Sequence, residues 1–212
     1  MTMHPTNSPA GPTEISTSEQ QLLYQWGAGI ADEMANVGAT DPKELEWVFR
    51  GVRDRVAGKS RPFSAEEQSQ LTKYLLDRIQ KNGVAEQAQS VVYLSAKARE
   101  PNAVVSGTGI VYRETLAGDG AQPAAESTVK VEYVGKLRNG WVFDSSRQRG
   151  TPLETSLTGV IKCWQEAIPM MKVGGKATVT CPPSLAYGDG GTYNIPPGSA
   201  LTFDVELLEV RK

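Results

Sequence analysis

The chain has 212 residues, 22 basic and 24 acidic side chains, a formal net charge of -2 and 39% hydrophobic residues. This length accommodates one large domain or two modest ones, each able to bury a core without disulfides or metals. So even a charge balance excludes the concentrated basic field that nucleic acid or an anionic membrane surface requires. No run approaches the roughly 20 apolar residues of a membrane span, and the polar start MTMHPTNSPAGPTEIST has no apolar h-region of a secretory signal. The chain as written is therefore expected in the cytoplasm, with the periplasm or cell envelope as the alternative if a signal has been removed.

Residues 1–17 are rich in Pro, Ser and Thr and read as a disordered tail. They contain the single histidine, His4. No ordered imidazole is left for a Ser-His or Cys-His nucleophile and no histidine cluster for a catalytic metal, so neither metal nor cofactor is expected. From Glu19 to about Val37, Leu22, Trp26, Ile30 and Met34 recur every fourth position and predict a helix with one apolar face. Asp41, Pro42 and Glu44 form the start signal of a second helix, a capping residue, a first-turn proline and an Asp-x-x-Glu box. This helix runs to about Ala57, carries Leu45, Val48, Phe49, Val52 and Val56 on one face, and ends at Gly58. Ser64 and Glu67 repeat the box ahead of a third pattern with Leu71, Tyr74, Leu75 and Ile79. Helical spacing continues through Val84, Ala88, Val91 and Val92, with Gly83 either a break or a weak point in one long helix. A stripe of this length has no obvious cover within residues 18–100, which favours a second copy of the chain. A compact bundle within one monomer is the alternative.

After Pro101 the apolar period falls from near 3.6 to near 2, and residues 101–212 read as a second domain. Thr128–Lys136, Lys176–Cys181 and Ala200–Leu207 alternate as half-buried antiparallel strands. In the last, Leu201, Phe203, Val205 and Leu207 point inward and Thr202, Asp204 and Glu206 outward. Val160, Ile161, Trp164 and Ile168 form one short amphipathic helix ended by Pro169. The fold class is α+β: an all-helical N-terminal domain followed by a twisted antiparallel sheet wrapped around one short helix. Cys163 and Cys181 form neither a C-x-x-C pair nor a zinc-ligand set and read as buried free thiols.

The ordered blocks VEYVGKL, NGWVFDSSRQRG, GVIKCW, VGGKATV, LAYG and IPPGSALTFDVELLEV resemble the FKBP-type peptidyl-prolyl isomerases over about ninety residues. The preceding helices resemble the N-terminal domain of bacterial proteins of the macrophage infectivity potentiator and FkpA type, which forms V-shaped homodimers. The resemblance implies a proline pocket with Asp144, Tyr187, Phe203 and Trp164 as catalytic residues and Tyr133, Phe143, Arg149, Leu153, Val160, Ile161 and Ile195 binding substrate. It implies as partners unfolded or partly folded polypeptides containing proline, FKBP-binding macrolide inhibitors, and a second copy through the N-terminal helices. Leu153 stands where an aromatic is frequent, and Cys163 where glycine usually precedes the tryptophan. The loop Gly188–Asn194 lacks the proline and histidine of some relatives.

Isomerisation needs neither acid, base nor nucleophile, which accords with a chain whose one histidine, His4, falls in the expected tail. Catalysis of X-Pro rotation in protein folding, by stabilising a twisted amide in an apolar pocket, is the expected function. Two alternatives stand beside it. One is a dimeric folding chaperone with secondary isomerase activity, raised by the helical domain. The other is a catalytically weak interaction scaffold, raised by Leu153 and Cys163.

Overall fold

The fold is described from a computed structural model, for residues 17–39 and 41–211. His4 and residues 1–16 of the expected tail lie outside the described residues. Thr17 belongs to the first helix, α1 (Ser18–Asn36), as its cap: its hydroxyl accepts from Gln20 N at 3.1 Å while Gln20 Oε1 accepts from Thr17 N. α2 (Pro42–Val56) starts where the proline and Asp41 place it, with Asp41 accepting from Lys43 N at 2.7 Å. Glu44 does not complete the expected box. It pairs instead with Arg78 of α3 (Ala65–Lys97), whose guanidinium also donates to the carbonyls of Val37 and Gly38 at the end of α1. One arginine thus joins three helices, satisfying carbonyls that the end of α1 leaves without intrahelical partners. The Ser64–Glu67 box at the start of α3 is complete, and Arg61 clasps Glu67 as well.

α3 runs unbroken through Gly83 for 33 residues. Its second half packs on the sheet. Ser90 is fully buried, and a Cβ on residue 83 would lie 2.9 Å from Cβ of Pro197, so glycine admits a close approach here at the cost of helix propensity. The first two helices contribute little burial of their own. Trp26 is 71% exposed and Val56 85%, and Leu22, Leu23 and Phe49 are also exposed.

The sheet contains β1 (Val104–Val105), β2 (Val111–Leu116), β3 (Thr128–Leu137), β4 (Val142–Ser145), β5 (Leu153–Ser156), β6 (Lys176–Cys181) and β7 (Leu201–Arg211). All pairings are antiparallel, in the order β1-β2-β6-β7-β3-β4, with β5 also on β3. The one-turn α4 (Ser146–Arg149) follows β4, and α5 (Lys162–Ala167) lies across the sheet, continued by a 3-10 turn through Pro169. β3 and β7 alternate as expected on the α5 side, burying Val129, Val131, Tyr133, Val205 and Leu207. On the other side, Thr202 is buried although its alternation points it outward. Tyr93 of α3 covers it, with the two hydroxyls 2.9 Å apart.

The expectation of two free thiols is corrected by the packing. Cys163 and Cys181 are both fully buried, but they form a disulfide with 5.7 Å between Cα atoms. Cys181 has the inward phase of Ala177 and Val179 on β6, and Cys163 occupies the face of α5 turned to the sheet. Laying the helix across the strands brings the two together, which sequence spacing alone does not reveal. Closing a loop of this length removes entropy from the unfolded chain worth about 3 kcal/mol. Cys163→Ala/Cys181→Ala is therefore expected to unfold at lower urea, and reductant should shift the wild type to that midpoint while leaving the double variant unmoved. Equal midpoints for oxidised wild type and variant would show that the bond contributes nothing.

Candidate functional site

The site lies between α5 and the inner face of the sheet, in a pocket of about 350 Å³. Strand register assembles it. Phe203 on β7 pairs with Gly135 on one side and Val179 on the other, while Tyr133 projects two residues from Gly135 on the same face. Trp164, in the first turn of α5, closes the floor. Its ring meets Tyr133 and Phe203 edge-on, with centroids 5.1 and 5.3 Å away, and Phe143 meets Phe203 edge-on at 5.7 Å. Such edge-to-face contacts add specific stabilisation to the burial of large rings. Gly135 gives the rings room, because a Cβ there would come within 2.7 Å of Phe143 Cζ and 3.0 Å of Phe203 Cε1.

At the mouth, Asp144 accepts from the Tyr133 hydroxyl through one carboxylate oxygen and from Arg149 through the other. Arg149 also donates to the Tyr133 hydroxyl at 2.9 Å and lies over that ring. The three groups form a closed cycle with Asp144 partly exposed toward the cavity. Burial, aided by the Asp144 charge, lifts the Tyr133 and Tyr187 hydroxyls above the usual 10, so both keep their protons at neutral pH. Hydrogen bonding to Tyr133 and Asp144 raises Arg149 further. The lining offers apolar walls and fixed dipoles.

Nine of the eleven residues singled out from sequence line this pocket: Tyr133, Phe143, Asp144, Leu153, Val160, Ile161, Trp164, Tyr187 and Phe203. Arg149 reaches it through Asp144 and Tyr133. Ile195, 3% exposed, sits in the core rather than in the lining. Cys163 points to β6 and leaves the cavity unaltered in composition, while Leu153 contributes an aliphatic wall. Three residues that sequence reasoning missed also shape the site. Gly159 lines it, Gln165 donates to the Val160 carbonyl at 2.8 Å, and Asn194 donates to the Phe143 carbonyl at 3.1 Å. The first has no side chain to notice, and the other two read as ordinary polar surface residues.

A sheet wrapped on one helix, with an aromatic pocket between them, defines the class that the comparisons identify. Residues 120–208 match the family described as FKBP-type peptidyl-prolyl cis-trans isomerase. FkpA of Escherichia coli K12, an FKBP-type peptidyl-prolyl cis-trans isomerase, is 33% identical over 98% of this chain and 81% of its own. The FKBP-type 22 kDa isomerase of the same organism is 35% identical over 92% of this chain and 97% of its own. Outer membrane protein MIP of Legionella longbeachae is 33% identical over 94% and 89%. The crystal structure of E. coli FkpA superposes with a TM-score of 0.67 at 34% identity, covering 93% of this chain and 99% of that one. The chain belongs to the FKBP-type peptidyl-prolyl cis-trans isomerases, with a helical N-terminal region ahead of the isomerase fold.

Gly135→Ala tests how tightly the rings are set. Forcing a methyl group against Phe143 and Phe203 is expected to lower kcat/KM for an X-Pro peptide by about tenfold, the equivalent of ~1.4 kcal/mol. The assay is read alongside circular dichroism, and full turnover in a folded variant would show that the rings yield without consequence.

Proposed function

We propose that the pocket accelerates X-Pro rotation without covalent chemistry, and the observation that carries this is the ring-walled cavity with Asp144 locked at its mouth. Rotation is slow because the planar amide is resonance-stabilised, with a barrier of about 18–20 kcal/mol. In the twisted state the carbonyl oxygen loses negative charge and the ring nitrogen regains its lone pair. A water-poor cavity disfavours the polar planar form more than the twisted one. Trp164, Val160, Ile161 and Phe203 hold the proline ring. Tyr133, Phe143, Leu153 and Tyr187 wall the site, with the Tyr187 hydroxyl or the Ile161 backbone bonding the substrate main chain. Ile195 supports the loop behind Tyr187, and Arg149 keeps Asp144 in place. A carboxylate beside the substrate carbonyl repels it less as the bond twists, which lowers the barrier in the required direction.

The expected result is faster isomerisation of an X-Pro peptide in a protease-coupled assay, with competition by an FKBP-binding macrolide. Asp144→Val and Phe203→Ala should each lower kcat/KM by about tenfold, since each tenfold corresponds to ~1.4 kcal/mol. Wild-type protein that fails to accelerate the peptide rejects the mechanism, and unaltered rates in either variant remove that residue from it.

Residues 18–100 act in this reading as a dimerisation domain, with proline-containing unfolded chains as clients of the whole. The apolar side chains left uncovered on α1 and α2 support a second copy as their cover. Light scattering at micromolar concentration should give twice the chain mass. A monomeric mass would reject the dimer, leave those faces open to unfolded clients, and favour the chaperone reading, measured as suppressed aggregation of a client lacking proline-limited folding. The buried disulfide, together with a relative named as an outer membrane protein, supports an oxidising compartment, the periplasm or cell envelope, over the cytoplasm expected from sequence.

A further inference from the structure

Ser90 is the one fully buried residue of α3, and its hydroxyl makes two bonds to the same loop. It donates to the Gly198 carbonyl at 2.8 Å and accepts from Ala200 N at 2.7 Å. These backbone groups lie just before β7 and outside its ladder. Gly198 N in turn donates to the Gly188 carbonyl at 2.9 Å, which closes the loop on itself one residue after Tyr187 of the pocket. On the far side of the loop, Asn194 is bonded to the Phe143 carbonyl and Ile195 is sunk into the core. The loop is therefore held from two directions, by the pocket wall and by a helix that contributes nothing to the pocket lining. The helix approaches so closely that Gly83 faces Pro197 with no space for a methyl group.

We infer that Ser90 is a positioning residue for the isomerase pocket, acting through Gly198 and Ala200 on the loop that carries Tyr187 and Ile195. The inference rests on the reading of that pocket as the proline site. A hydroxyl that satisfies a buried donor and a buried acceptor fixes both peptide groups, and its removal leaves both without partners. The loop would then relax away from the helix, and the Tyr187 wall with it, weakening substrate binding rather than the chemistry of rotation.

The experiment uses the full chain and a short X-Pro peptide. Ser90→Ala is expected to raise KM by about two- to tenfold, the net worth of one substrate hydrogen bond lost as the Tyr187 wall moves, with kcat retained. Gly83→Ala displaces the same loop by a different contact, and should raise KM likewise. Its helix content should not fall, because alanine is the better helix former. A defect of stability alone would reduce the active fraction, and hence apparent kcat, without moving KM. KM within twofold of wild type in Ser90→Ala overturns the assignment, whatever happens to kcat. If Ser90→Ala does not fold by circular dichroism, Gly83→Ala decides by the same criterion. Failure of wild-type turnover, or insensitivity to Phe203→Ala, would instead remove the pocket reading on which the inference rests.

Discussion

Phe203 is held between two strands, and the site depends on that placement. Its pairing with Gly135 and with Val179 puts one ring at the centre of the inner sheet face, where Trp164 and Phe143 both meet it edge-on. The absent side chain at Gly135 and the ring at Phe203 are complementary halves of one arrangement. A slip of one residue in β7 would turn Phe203 to the opposite face and dissolve the cavity, because side chains alternate along a strand. The alternating core residues Leu201, Val205 and Leu207 fix the register against that slip.

A second constraint acts from beneath. The Cys163–Cys181 bond joins α5 to β6 next to Trp164, so the floor is tied covalently to the sheet. Asp144, Tyr133 and Arg149 form a comparable closure at the mouth by hydrogen bonding. Floor and rim are thus each fixed, and between them lie mostly apolar walls with the Asp144 carboxylate at the mouth. In the proposed mechanism, apolar walls suit a rotation whose high-energy state is less polar than its ground state.

Much of this was legible in the sequence, for reasons that can be named. β6 occupies the residues its alternation marks, and the Asp41–Pro42 and Ser64 signals locate two helix starts, since periodicity and capping are local properties. Gly83 shows where local reading stops. Its low helix propensity is offset by a contact with Pro197, more than a hundred residues away in the chain, and no pattern around residue 83 announces it. Thr202 likewise reads as solvent-facing until Tyr93 covers it, and Glu44 as a capping residue until Arg78 claims it. The disulfide needs the crossing of helix over sheet before the cysteines meet. For the pocket, nine of the lining residues were named through resemblance and Gly159 was not, whereas the cycle joining Asp144, Tyr133 and Arg149 exists only in three dimensions.

The continuity of α3 has a mechanical side. Between Ala65 and Asn82 about 18 residues of helix precede the docked half, a rod of about 27 Å at 1.5 Å per residue. A Gly/Ser tether of the same length would span a similar mean distance, about 23 Å, but would sample every direction. A rod transmits torque and bearing as well as separation. Because its far half is seated on the sheet, turning the free half of α3 turns the pocket with it, and the opening faces a direction fixed by the phase of the helix.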